Sequence, residues 1–209
     1  MEDQLQIYLC AREADLSQAW KMYCGRFPFV TVTKQDIMHI EAEAIVSPAN
    51  SFGFMTGGID LHYKNYFGQE VEDALRSRIA LEFDHELCIG QATSVEITKS
   101  YTTYKYLIAA PTMRVPENVS HTINAFLAAK AALIEAKKIG VQSIVFPGLG
   151  TGTGALAPTE CARQVAAAIS YVLIDGTAYS GPSGLYEEQY HMRQHIVPAK
   201  WFEVQRMGE

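Results

Sequence analysis

The chain alternates short apolar runs with longer stretches whose apolar positions recur every three to four residues. Runs at 6–10, 29–33, 44–47, 92–97, 104–109 and 143–146 read as strands. Residues 14–24, 59–68, 70–80, 120–139 and 158–173 carry helical spacing. In 14–24, Leu16, Ala19, Trp20 and Tyr23 share one face, and Gly25 ends the helix. In 120–139 the expected buried side is Ile123, Phe126, Leu127, Ala131 and Ile134, with Gly140 as the cap. In 158–173, Val165, Ala168, Ile169 and Val172 point inward. The run at 143–146 is apolar throughout, as in a strand covered on both faces. Strands alternating with helices predict a three-layer α/β/α fold with a mixed, mostly parallel sheet. After residue 173 the pattern fades into a loop-rich tail with one charged, aromatic stretch at 186–195 that reads as a short helix.

Composition narrows the picture. At 209 residues, 48% hydrophobic and 19% charged, the chain suits one large domain. The expected division is a domain over 1–174 and an extension, 175–209, packed on it. A net charge of −6 argues against a broad basic surface, so no nucleic-acid partner is expected. No apolar run approaches a membrane span, and the opening Met1-Glu2-Asp3-Gln4 lacks a secretion signal. No membrane partner is therefore expected, and the cytoplasm is the expected location. Cys10, Cys24, Cys88 and Cys161 show no C-x-x-C spacing and no neighbouring histidine cluster, which predicts free thiols and no metal site. No cofactor is expected, and nothing in the sequence sets an oligomeric state.

Two glycine-rich loops follow strands. One runs from Ser51 to Gly58 and holds Gly53, Gly57 and Gly58. The other is Pro147-Gly-Leu-Gly-Thr-Gly-Thr-Gly154. In open α/β sheets ligands sit at the carboxyl ends of strands. Glycines let backbone N–H groups approach an anion closely, and a following helix adds free N–H groups and positive dipole charge. Two such loops facing each other would hold a diphosphate. The second loop also fits the weak dinucleotide fingerprint G-x-G-x-x-A at Gly150, Gly152 and Ala155, with Asp175 where a ribose-binding acid would fall. That motif normally opens its domain, and little chain remains here to build a further sheet.

The motifs together resemble the macro domain family. Val46-Ser-Pro-Ala-Asn50 followed by Gly57-Gly58-Ile59-Asp60 is similar to the family's "N-A-A-N, then G-G-G-G-V-D". Asn50 and Asp60 stand ten residues apart, the spacing of MacroD-type ADP-ribosyl hydrolases. Thr33-Lys-Gln-Asp36-Ile37, Gly68, Gly90-Gln-Ala92, Tyr106 to Pro111 and Ile144 to Gly154 match further family motifs in order. The resemblance spans 29–173 and implies a macro-domain fold that binds ADP-ribose. It places Asp36 and Ile37 against adenine. Asn50 and Asp60 come beside the distal ribose as catalytic candidates, with Asp60 activating a water. Gly57, Gly58 and Ile59 meet the diphosphate from one side, and Gly150, Thr151, Gly152, Thr153 and Gly154 from the other. Macro domains usually close with a strand and a helix, whereas this chain opens with that pair. The opening pair is expected to take the closing pair's place, as in a circular permutation.

The chain also departs from the family. Met55 and Thr56 replace two loop glycines, and Lys64 stands where a histidine follows the aspartate. Thr153 and Gly154 stand where an aromatic covers the distal ribose, and Tyr66 or Phe67 are the candidates to compensate. A lysine-nucleophile branch of the family finds Ala110 and Gly154 at the matching positions. The expected partner is ADP-ribose or an ADP-ribosylated substrate. The expected activity is hydrolysis of an ADP-ribosyl linkage in protein or O-acyl-ADP-ribose. A non-catalytic ADP-ribose reader and an ADP-ribose-1″-phosphate phosphatase are the alternatives.

Overall fold

The computed structural model describes residues 4–174 together with Gln189, Met192 and Arg193. Six strands form one sheet: β1 Gln6–Cys10, β2 Val30–Thr33, β3 Ala44–Ser47, β4 Thr93–Glu96, β5 Tyr106–Ala109 and β6 Ser143–Phe146. Five helices cover it: α1 Ala14–Cys24, α2 Gly58–Phe67, α3 Gln69–Glu82, α4 Asn124–Ile139 and α5 Pro158–Leu173. The order across the sheet is β2-β1-β6-β3-β5-β4. Every neighbouring pair is parallel except β5 with the edge strand β4.

Side-chain alternation explains the three layers. Ile144 and Phe146 of β6 face the core under α1, α4 and α5, whereas Val145 faces the opposite core under α2 and α3. β3 repeats the pattern, with Ala44 and Val46 on the first face and Ile45 on the second. Period-two alternation with apolar residues in both phases is what a strand covered on both faces requires. Trp20 anchors the first core, and Tyr63, Phe67, Leu75 and Ile79 build the second.

The opening strand lies inside the main sheet. Ile7 pairs with Val30 on one side and with Ile144 on the other. Had it lain outside, the expected exchange of closing for opening elements would have failed.

Two expectations for α4 need correction. The helix begins at Asn124 rather than at residue 120. The preceding residues are held in a turn: the Asn118 side chain accepts from the Ser120 N–H at 2.9 Å, and the Thr122 hydroxyl donates to the Val119 carbonyl at 2.8 Å. Ile134 is 49% exposed rather than buried. The buried stripe runs through Ala125, Ala128, Ala129, Ala132 and Ala136, which lets α4 pack closely on α5 and leaves Ile134 off the contact face. The helix expected at 186–195 lies mostly outside the described residues. Gln189, Met192 and Arg193 are helical, and Met192 is buried in the first core.

Candidate functional site

The parallel strands all deliver their carboxyl ends to one cleft of about 660 Å³. Its walls come from the segments after β1, β2, β3, β5 and β6. Every site residue expected from the sequence lines it: Asp36, Ile37, Asn50, Gly57 to Asp60 and Gly150 to Gly154. A more open depression of about 730 Å³ lies at the amino end of β5, where Lys99 and Lys105 are already paired with Glu70 and Glu43.

The first loop is held by its own side chains and by α3. Asn50 donates from Nδ2 to the Phe54 carbonyl at 2.7 Å, and its Oδ1 accepts from the N–H groups of Phe52 (3.1 Å) and Phe54 (3.3 Å). Its amide therefore shapes the loop as well as facing the cleft. Buried Glu72 of α3 accepts from the Met55 N–H at 2.9 Å, from Lys64 at 3.0 Å and from Gln69 at 2.9 Å. Lys64 thus anchors Glu72. Gly58 opens α2 with φ of +57°, a left-handed conformation that glycine adopts without strain. A Cβ at Gly57 or Gly58 would meet only open space. The first turn of any helix leaves N–H groups without an intrahelical acceptor, and here that turn borders the cleft.

Asp60 sits in that first turn, only 9% exposed. The Ser47 hydroxyl at the end of β3 donates to its Oδ1 at 2.6 Å. Burial pushes the carboxyl up to about 6, and the Ser47 hydrogen bond opposes the shift.

The second loop folds on itself. The Ala155 N–H donates to the Gly152 carbonyl at 2.9 Å, and the Leu156 N–H to the Gly150 carbonyl at 3.0 Å. Gly150 has φ of +71°, which favours glycine. Gly154 has a packing reason to be glycine: a Cβ there would stand 2.5 Å from the Gly150 carbonyl oxygen and 2.6 Å from Val119. Residues 147–157 separate β6 from α5, so the helix does not begin within the G-x-G-x-x-A run as the dinucleotide fingerprint requires. Asp175, the acid of that alternative, lies outside the described residues.

At the Asp36 end, three elements meet. Asp36 accepts from the Met38 N–H at 3.0 Å, and Arg12 and His62 approach its carboxylate at 3.7 and 3.6 Å. The Met38 hydrogen bond is the main cause that holds its pKa below the ordinary carboxylate range, against a smaller rise from burial. The Tyr104 hydroxyl donates to the Ile37 carbonyl at 2.5 Å and fixes this corner.

Several lining residues escaped the sequence reading. Arg12 and Glu13 reach the cleft because β1 lies beside β6, and the expected permutation was the signal for them. Phe54 and His62 also line it, and nothing in their spacing pointed there. The proposed substitutes for the missing aromatic do not reach the cleft wall: Phe67 is 1% exposed and Tyr66 packs edge-on against it. Cys10, Cys24 and Cys161 are buried, Cys88 is exposed, and all four are free thiols. Among the described residues no cluster of potential metal ligands occurs, and no helix is long and apolar enough to cross a membrane.

Sheet and cleft together define an α/β protein with a ligand-sized groove between two glycine loops at its strand tips. The family model described as Macro domain matches residues 46–165, and the chain belongs to the macro domain family. The opening β1 and α1 lie outside the matched stretch. An uncharacterized protein of Aeropyrum pernix is 33% identical over 141 residues, 68% of this chain and 70% of the relative. Among solved structures, the macrodomain of Mycobacterium tuberculosis DarG superposes with a TM-score of 0.60 at 22% identity, covering 68% of this chain and 91% of that one. A mutant of the Oceanobacillus iheyensis macrodomain with ADPR gives 0.59 at 20% identity, covering 68% and 76%. Both share the fold.

Proposed function

We propose that the cleft binds ADP-ribose and hydrolyses an ADP-ribosyl linkage. Family membership and the likeness to a macrodomain solved with ADPR support the ligand. In this reading Asp36 accepts from the adenine amino group, and the Ile37 backbone meets the ring. The diphosphate lies between Gly57–Ile59 and Gly150–Gly154, held by backbone N–H groups in place of lysines. The distal ribose lies beside Asn50 and Asp60.

One observation carries the catalytic half: a buried carboxyl at the foot of the first loop whose pKa lies near 6. At neutral pH it is ionised in most molecules, yet it accepts a proton far more readily than an exposed aspartate. That is the property of a general base working near neutrality. A water donates its proton to Asp60 as its oxygen bonds to the anomeric carbon. The bond from that carbon to the leaving group breaks, and the proton passes from Asp60 to the leaving group. A reader without turnover is the second reading, favoured by the Asn50 amide being bonded to Phe54 and by the 9% exposure of Asp60.

Calorimetry with ADP-ribose tests the binding. Release of ADP-ribose from an ADP-ribosylated protein, compared between wild type and Asp60→Ala, tests the chemistry. Loss of about a hundredfold or more in rate with retained binding is the expected result. Full turnover by Asp60→Ala would refute the mechanism, and tight binding without turnover by the wild type would establish the reader.

A further inference from the structure

The second loop gives the cleft no aromatic wall: Pro147, Gly148 and Gly150 to Gly154 line it without an aromatic ring. The benzenoid ring that does line the cleft, among the described residues, is Phe54 from the first loop. It is 44% exposed. Exposure of a single apolar side chain means little by itself. Here the ring is fixed from two directions. The Asn50 amide holds its peptide, donating to the Phe54 carbonyl at 2.7 Å and accepting from the Phe54 N–H at 3.3 Å. The Arg76 guanidinium of α3 lies 4.2 Å from the ring centroid and covers one face. What remains of the ring is presented rather than packed, at the Asn50 end of the groove.

We propose that Phe54 forms the wall on which the distal ribose of ADP-ribose packs, so that this chain supplies from its first loop the apolar surface its second loop lacks. The proposal rests on the ADP-ribose reading above. A pentose offers a face of C–H groups between its hydroxyls, and an aromatic ring beside a few aimed polar groups is the usual way such a ligand is oriented. Asn50 then acts twice, through its own contact with the sugar and by setting the ring. Arg76 is a positioning residue that holds the ring from behind.

Titration calorimetry on the full chain, with ADP-ribose and with ADP, separates the outcomes, because ADP lacks the distal ribose. Phe54→Ala is expected to weaken ADP-ribose binding about tenfold and to change ADP binding by less than about twofold. Phe54→Trp is expected to keep ADP-ribose affinity. Retained ADP binding by Phe54→Ala shows that the variant is folded. Equal losses for both ligands would overturn the proposal by making Phe54 a support of the whole loop, and an unchanged ADP-ribose affinity would overturn it outright. A wild type that binds neither ligand would instead sink the functional reading beneath it.

Discussion

Asp60 shows two effects in competition at one residue. A carboxylate in the first turn of a helix is favoured by the dipole, by about 0.3–1 kcal/mol at exposed sites. Burial wins here and lifts the group to about 6 from the ordinary value of about 3.9. With the folded pKa above the unfolded one, the folded state binds more protons between the two values, so stability falls as pH rises through about 4 to 6. Above that window the ionised form imposes a constant cost on the order of 2–3 kcal/mol. Asp60→Asn, which still accepts from Ser47, is therefore expected to melt several degrees above wild type at pH 7, with the gain vanishing by about pH 4. Thermal melts across pH measure this, and a gain that persists at pH 4 would contradict it. The Asn50–Asp60 pair was legible only through the resemblance to the macro domain family, and both residues line the cleft. The depth of Asp60 was not, because it depends on β3 and α2 meeting. Phe54 was missed because a phenylalanine in a loop carries no periodic signal.

Among the elements, α3 matters to the site without entering it. Glu72 ties the Met55 N–H, Lys64 and Gln69 into one buried node. Burial raises its pKa, but the hydrogen bonds from Met55, Lys64 and Gln69 outweigh it and leave the net shift downward. Its contribution is thus full above the ordinary glutamate range and is lost as pH falls through the depressed value. Glu72→Ala strands the Met55 N–H and a half-buried lysine. It is expected to lower stability by about 2–3 kcal/mol in denaturant titrations and to loosen the loop before α2. An unchanged midpoint would show that the node is not structural. α1, β3 and α5 were legible to the residue, since each is bounded by a glycine, a proline or a sharp change of period. The start of α4 was not, because Asn118 and Thr122 compete locally for backbone groups. Nor was the exposure of Ile134, because the alanines that pack on α5 outrank a larger residue once two helices approach closely.

For the molecule as a whole, the decisive feature is an opening strand placed between β2 and β6. Alternation of strands and helices predicted the layers, and the fading of the strand pattern in the sequence after residue 173 predicted the exchange. The register Gln6–Ser143 to Leu9–Phe146 came only with the structure. Removing residues 1–28 deletes β1, strips β2 of its pairing partner and takes Trp20 from the first core. That truncated chain is expected to show no cooperative unfolding by circular dichroism, and a melt close to wild type would refute the interior role of β1. The same placement sets a timetable on the ribosome. β1 is made before the other strands of the described sheet and waits for a neighbour, β6, that is made on the order of ten seconds later at usual rates of synthesis. Until then β1 has β2 as its one pairing partner, and its other edge stays open, the kind of surface that pairs with other chains. Closure onto β6 joins the two most distant parts of the described sheet, and such distant pairing slows folding.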